Sequence, residues 1–350
     1  MQASAPLLSP SSSSSTSTPP PRIRVDGKEQ WAGLIRSVLR PILVHLNEDT
    51  TWLLQLPRHN KWFNILIDPW LQHSQSDVHP LFSTQSHVSL PSVATIEDLN
   101  KILQDIEGAR PQTGAEGRGP GPNASMIDAV VISHEFTDHC HQKTLLELPR
   151  STPVYAADVA ADLIRSWGYF TQVITAPALG AGVKWSQLTV GPLPDWLAIG
   201  RVITPGNALY YHSAIIFAFD IGAGDGGEAI LYSPHGIDSK DLAGLEASGL
   251  KILALLHGLD DVRIWLTKQL NLGALNGIRA ASKAKYWFPT HDEKKKGTGL
   301  IGYLLQRTSY SFEEAVCHEE QRLKQIDGGE YLPSYQFMKL GSGDGLVLLA

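Results

Sequence analysis

Apolar and polar positions alternate along the chain with two different periods, and the switches between them mark the elements. GKEQWAGLIRSVLRPILVHLN carries apolar residues at helical spacing and predicts a helix ended by Pro41. TTWLLQLP and FNILIDPWL are short apolar runs either side of the polar RHNK, which predicts a hairpin. SVATIEDLNKILQDIEG places Thr95 as an N-cap before a helical pattern that closes on glycine, so a second helix is expected there. The Gly/Pro-rich GARPQTGAEGRGPGPNAS is a loop, and IDAVVIS after it reads as a buried strand.

Beyond that strand, QKTLLELP predicts a short helix, TPVYAA a strand and ADVAADLIRSWG a helix. FTQVITA and VKWSQLTVG read as strands, while NALYYHSAIIFAFDI and EAILYSP form a hairpin around GAGDGG. SKDLAGLEASG is helical, LKILALLH a strand, LGALNGIRAASKA a helix and KYWFPT a strand, with residues near 298 to 324 helical again. Strands followed by mixed strands and helices, the pattern occurring twice, indicate a layered α/β protein with sheets inside and helices outside. No short fixed-period repeat interrupts it.

Composition narrows the function. The chain has 350 residues, of which 43% are hydrophobic and 18% charged, an ordinary globular balance. A net charge of -6 with scattered Lys and Arg gives no basic footprint, so nucleic acid is not an expected partner. No apolar run is long enough to cross a membrane. Two cysteines, Cys140 and Cys317, suit a reducing compartment, and the expected location is the cytoplasm. Residues 1–22, rich in Ser, Thr and Pro, cannot bury apolar surface and are expected to be a disordered tail before a single domain over 23–350.

The candidate chemistry lies at strand ends. VVISHEFTDHCHQ runs from an apolar strand directly into His134, Asp138 and His139. Further histidines recur at other strands: His212 in ALYYHSAIIF, His235 in AILYSPHGID and His291 in KYWFPTHDE. Each could reach one edge of the same sheet, and neutral imidazole with carboxylate is the donor set of zinc, iron or manganese. The competing reading is a polar cluster that satisfies buried backbone groups and caps the helix after His141, with His212 packed beside Tyr210 and Tyr211.

Several neighbours are assigned other roles. Glu135 is expected to point away from His134, and His141 to bind no metal. Asp68 in LIDPW suits a supporting acceptor or a turn cap rather than a ligand. Cys140 reads as a small buried thiol rather than a nucleophile, and Lys294 to Lys296 as a solvated loop. GAGDGG formally matches a dinucleotide fingerprint, but a strand follows it where that motif needs a helix. The tryptophans beside strands, Trp52, Trp62, Trp70, Trp185 and Trp287, are expected to pack in the core.

SHEFTDH resembles the His-x-His-x-Asp-His motif of the metallo-β-lactamase superfamily, and NILIDPWL, His212, LYSPHG and FPTH follow in that family's order over roughly residues 40 to 295. The resemblance implies a four-layer αββα sandwich with metal in a cleft at one edge. It further implies that His134, Asp138, His139, His212, His235 and His291 hold one or two ions, zinc or else iron or manganese. Phe136 stands where the motif has its second histidine, and His235 where it has a bridging aspartate. The first metal position would then keep His134 and His212, and the second Asp138, His139 and His291. Two functions follow as expectations. One is a hydrolase acting on a small-molecule ester, thioester, amide or phosphoester, with Asp138 orienting the attacking water; the other is a catalytically silent protein that keeps the fold for binding.

Overall fold

The structure is a computed structural model and describes residues 19–58, 61–72, 74–76, 84–108, 125–180, 182–203, 212–222, 226–264, 268–298, 305–326 and 331–350. Most of the expected tail and of the loop at 109–124 lies outside these residues. Strands β1 (Arg22–Arg24), β2 (Ile42–His45), β3 (Trp52–Arg58), β4 (Lys61–Ile67), β5 (Ala129–Ile132), β6 (Val154–Ala156) and β7 (Val173–Thr175) belong to one sheet. A second sheet contains β8 (Leu197–Ile203), β9 (Ser213–Phe219), β10 (Glu228–Ser233), β11 (Lys251–His257), β12 (Ala284–Phe288) and β13 (Gln336–Phe337). Strand β14 (Asp344–Val347) returns to the first. The orders are β1-β14-β2-β3-β4-β5-β6-β7 and β13-β12-β11-β10-β9-β8.

Side-chain alternation explains the layering. In β9, Ile215, Phe217 and Phe219 face the space between the sheets, whereas Ala214, Ile216 and Ala218 face helices. In β5, Ala129 and Val131 point between the sheets and Val130 and Ile132 outward. Both faces are therefore apolar, as strands covered on two sides require. The outer face of the first sheet is covered by α1 (Lys28–Ser37), α2 (Ile96–Glu107), the short α3 (Gln142–Leu145) and α4 (Asp158–Ser166). That of the second is covered by α5 (Ala243–Ala247), α6 (Ala274–Ala280) and α7 (Phe312–Ile326). This is the expected αββα sandwich. Trp52, Trp62, Trp70 and Trp287 are buried in it, as core packing of these residues requires.

The local expectations hold in most places. The β3–β4 and β9–β10 pairs are antiparallel hairpins, and Thr95 caps α2 by accepting from the Asp98 N–H at 3.1 Å. Three segments depart from expectation. VKWSQLTVG is a 3-10 turn at Trp185–Leu188 rather than a strand, because Gln187 folds back onto the Lys184 N–H at 3.0 Å and only Leu188 finds a buried place. LAIGRVI, for which the pattern gave no element, forms β8 without a break, and at its Gly200 a side chain would lie 2.8 Å from Leu188. Leu305–Ser309 is a strand paired antiparallel with Asp260–Ile264, so the terminal helix begins only at Phe312. There a tertiary partner decides, as it does for most β-prone segments.

Strands β4 to β7 run parallel to one another, and so do β10 to β13. Each parallel set therefore ends its strands along one edge, the place where α/β folds carry their sites. No helix among the described residues is long and apolar enough to cross a membrane.

His257, the last residue of β11, is fully buried and neutral, donating from Nδ1 to Gly258 O at 2.8 Å and accepting at Nε2 from Asn276 at 3.1 Å. Burial pushes its pKa down to about 4. An unfolded histidine takes up its proton near pH 6.5, so the unfolded chain binds more protons between about 6.5 and 4. The contribution of His257 to stability is complete above that window and lost as the pH falls through it, on the order of 3 kcal/mol. Urea unfolding at pH 7 and pH 4.5 is expected to show the loss, and His257→Gln to show a smaller one.

Candidate metal centre

The parallel strands explain why the candidate residues meet. Strand β4 runs into Asp68, β5 into Ser133 and His134, β10 into His235 and β12 into His291. The expectation of a single sheet edge is thus corrected: the histidines come from matching edges of two facing sheets. Ring centroids lie 5.0 Å apart for His134–His235, 4.9 Å for His139–His235, 4.8 Å for His139–His291 and 5.0 Å for His235–His291. One ligand atom from each of His139, His235 and His291 lies within 4.8 Å of the others.

The outer nitrogens of these rings are tied down, which fixes what the inner ones offer. Asp68 Oδ2 lies 2.7 Å from His139 Nδ1 and 2.8 Å from the Tyr232 hydroxyl, while Asp68 Oδ1 accepts from the Ser133 N–H at 2.7 Å. Asp68 is therefore the supporting acceptor expected of it. With Nδ1 held by Asp68, His139 turns Nε2 inward, and that buried atom has no hydrogen-bond partner among the described residues; burial alone would lower the pKa of this imidazole, but the Asp138 and Asp68 carboxylates outweigh it and raise it. His235 donates from Nδ1 to Asn271 Oδ1 at 2.8 Å. Burial, reinforced by the neighbouring imidazoles, holds His235 well below the usual histidine range and so neutral. Neutral imidazoles with a fixed tautomer are what a metal site needs.

Phe136 stacks on His134 with centroids 4.3 Å apart and meets the edge of the His235 ring at 6.3 Å. Glu135 does not point away as expected: its carboxylate turns back to His134 Nδ1 at 3.0 Å, because the chain after Ser133 leaves the strand as a tight turn. His141 caps α3, its ring 2.9 Å from Thr144 Oγ1, and Cys140 is buried with its thiol pKa pushed up by desolvation. His212 precedes β9 on the same edge, near the backbone of Leu270, but is not in either group of mutually close ligand atoms among the described residues.

Two residues that sequence reasoning left out complete the centre. Lys295, expected in a solvated loop, is only 8% exposed, with Nζ 2.8 Å from Asp49 Oδ2 and 2.7 Å from Asp138 Oδ2. Its neighbours Lys294 and Lys296 are exposed, so only the middle lysine departs from the expectation. Asp49 sits in the turn between β2 and β3, shaped by Asn47 Oδ1 accepting from the Asp49 and Thr51 N–H groups at 3.0 and 2.8 Å. That turn is clamped to the end of β12, as Asp49 O accepts from His291 N at 2.9 Å and Thr290 Oγ1 at 2.9 Å. The density of turn-forming polar residues in LNEDTT, between two strands that need only a short link, was the available sign of Asp49.

Burial alone would raise the Asp138 carboxyl, but Lys295 and the imidazoles of His139 and His291 outweigh it and hold it well below the usual carboxylate range. His291 Nε2 is 3.2 Å from Asp138 Oδ2, and His139 Nε2 is 3.7 Å from Asp138 Oδ1. Asp138 thus turns Oδ2 to both the ammonium and His291, and Oδ1 to His139. Asp49, Asp138 and His291 form a second set with ligand atoms mutually within 4.8 Å.

This architecture is that of the metallo-β-lactamase fold. The chain is similar to the crystal structure of isothiocyanate hydrolase from Delia radicum gut bacteria, with a TM-score of 0.52 and 15% identity over 87% of this chain and 97% of that one. It is also similar to a possible metal-dependent hydrolase from Veillonella parvula DSM 2008 (TM-score 0.48, 13% identity, 88% and 100% covered). A third is Zn(2+)-bound PqqB from Methylobacterium extorquens (0.40, 14%, 87% and 88%). At these identities the likeness is one of fold. No protein-family model matches the sequence, and no curated protein does.

Removing the Asp68 carboxylate takes an acceptor from four buried donors, Ser133 N–H, Ser133 O–H, Tyr232 O–H and His139 Nδ1–H. Asp68→Ala is expected to cost about 3 to 5 kcal/mol of unfolding free energy, as breaking a buried pair does. Urea denaturation at pH 7 checks it; an unchanged midpoint would contradict this role.

Proposed function

We propose that the chain is a metal-dependent hydrolase of small molecules. The observation that carries this reading is the convergence of ligand atoms of His139, His235 and His291 within 4.8 Å, with the buried Nε2 of His139 lacking a hydrogen-bond partner among the described residues. These donors fit a transition metal: imidazoles from rigid strand ends, each oriented by a carboxylate, amide or backbone group, suit zinc, iron or manganese. His139, His235 and His291 would hold the ion, with Asp138 beside them and His134 and His212 as further candidates. A bound ion supplies a Lewis acid that lowers the pKa of water to about 7 and stabilises charge on an attacked oxygen.

The chain's own residues supply the rest. Lys295 keeps Asp138 ionised, so its carboxylate accepts and does not donate. A water between Asp138 and a substrate would be oriented by a hydrogen bond to that acceptor as it attacks a carbonyl, thiocarbonyl or phosphoryl centre. Asp68 and Asn271 hold the imidazoles still, which keeps reacting groups in register. The scaffold of an isothiocyanate hydrolase supports adding isothiocyanates to the esters, thioesters, amides and phosphoesters as candidate substrates.

The packing of Phe136 on His134 favours a second reading, a catalytically silent binding protein. Metal analysis of the purified chain, paired with a hydrolysis panel over these substrate classes, separates the two. The hydrolase reading expects stoichiometric transition metal and turnover of at least one class, with Asp138→Ala lowering kcat by about 10²- to 10⁴-fold. Protein that takes up neither zinc nor manganese and turns over nothing in the panel would leave the binding reading standing.

A further inference from the structure

Lys295 sits where a second metal ion would otherwise be needed, and we propose that its ammonium group is a built-in second cation that limits this centre to one metal. The inference rests on the metal-binding reading above and concerns a residue that reading does not require as a ligand. Asp49, Asp138 and His291 bring their ligand atoms within 4.8 Å of one another; His291 is shared with the imidazole set, so Asp49 and Asp138 are the donors a second ion would take. The ammonium lies 2.8 Å from Asp49 Oδ2 and 2.7 Å from Asp138 Oδ2, so it already engages the two carboxylates of that set. The lysine side chain is 8% exposed, and the carboxylate side chains 0% and 12%. Among the described residues no other lysine or arginine pairs with either of them.

Other contacts fix the cation in place. Nζ stands 5.4 Å from the centroid of the Trp70 ring, which adds a cation–π attraction. The backbone just after the ligand His291 is tethered by Glu293, whose carboxylate accepts from Val88 N and Ser89 N at 2.7 and 2.9 Å and lies 2.6 Å from His87 Nδ1. Lys295 therefore enters the centre from an anchored segment. A divalent ion on the same two oxygens would sit within a few ångströms of a buried ammonium, where like charges repel by several kcal/mol at the effective dielectric of a protein. Among the described residues no lysine or arginine pairs with the inward nitrogen of His139. The two donor sets are consequently unequal: one is open to a metal, and the other carries its positive charge covalently.

The test counts metal and follows melting, with no need of a substrate. Wild-type protein, Lys295→Ala and Lys295→Arg are stripped with chelator, equilibrated with excess zinc or manganese, freed of unbound ion and analysed for metal per chain. The wild type and Lys295→Arg are expected to hold one ion. Lys295→Ala is expected to hold two, because Asp49 and Asp138 are left buried without a cation. Its Tm should fall in chelator and recover with added metal, whereas the Tm of the wild type should respond less. Two ions in the wild type would overturn the inference while leaving the metal reading intact. One ion or fewer in Lys295→Ala, or failure of that variant to fold even when refolded with metal, would do the same. A wild type that binds no metal at all would defeat the underlying reading instead.

Discussion

A single buried carboxylate holds the centre to both sheets. Asp68 leaves β4, accepts from Ser133 at the end of β5 at 2.7 Å, from Tyr232 of β10 at 2.8 Å and from His139 at 2.7 Å. A charge with no exposed surface is tolerable only when donors surround it, so each donor's strand is placed relative to the others. Hydrophobic packing between the sheets brings the layers together but does not specify how far one slides along the other. The directional bonds at Asp68 do, and the imidazole spacing follows from that register. Asp68 itself adopts a φ of +41° and His291 a φ of +60°, left-handed conformations that non-glycine residues rarely take. Both lie at strand ends of the centre, and Glu48, next to Asp49 in the β2–β3 turn, has a φ of +54°; surrounding contacts hold the strain there.

Charge balance is the second constraint. Asp49 and Asp138 are buried side by side, an arrangement that repels unless a cation lies between them, and Lys295 is that cation. The result is a polar layer in which every ionised group has a counter-charge within hydrogen-bond distance or an imidazole beside it. Such a network is worth more complete than in part, since losing one member leaves another charge buried alone. The clamp from the Asp49 carbonyl to His291 N and Thr290 Oγ1 couples this layer to the backbone of both sheets.

Most of the fold could be read from periodicity, because the sandwich is built from strands whose two faces are both apolar and from helices with one apolar stripe. The failures share a cause. The turn at Trp185–Leu188 and the strand at Leu305–Ser309 have weak local patterns, and a back-folded glutamine and a distant partner strand decide them. Within the centre, residues announced by unusual placement were visible: histidines directly after apolar strands have few ordinary reasons to be there. Lys295 and Asp49 were not, since a lysine in a basic run and an aspartate in a polar turn look the same in sequence whether solvated or buried. Only the fold, by closing the β2–β3 turn onto the loop after β12, turns their charges inward.

Phe136 and Lys295 bear on the chemistry in the same sense. The phenyl ring beside His134 offers no lone pair, and the ammonium between Asp49 and Asp138 supplies a charge that no longer has to come from an ion. One change removes a donor and the other removes the demand for a second metal, so on the proposed reading they are complementary parts of a centre arranged around one ion. Asp138 is the residue both arrangements share. Its Oδ2 is committed to Lys295 and His291, and its Oδ1 is left facing His139, where on the proposed reading it would accept from the attacking water. A fixed ammonium cannot dissociate or exchange as a second ion would, so the ionisation of Asp138 becomes a property of the folded chain rather than of metal supply.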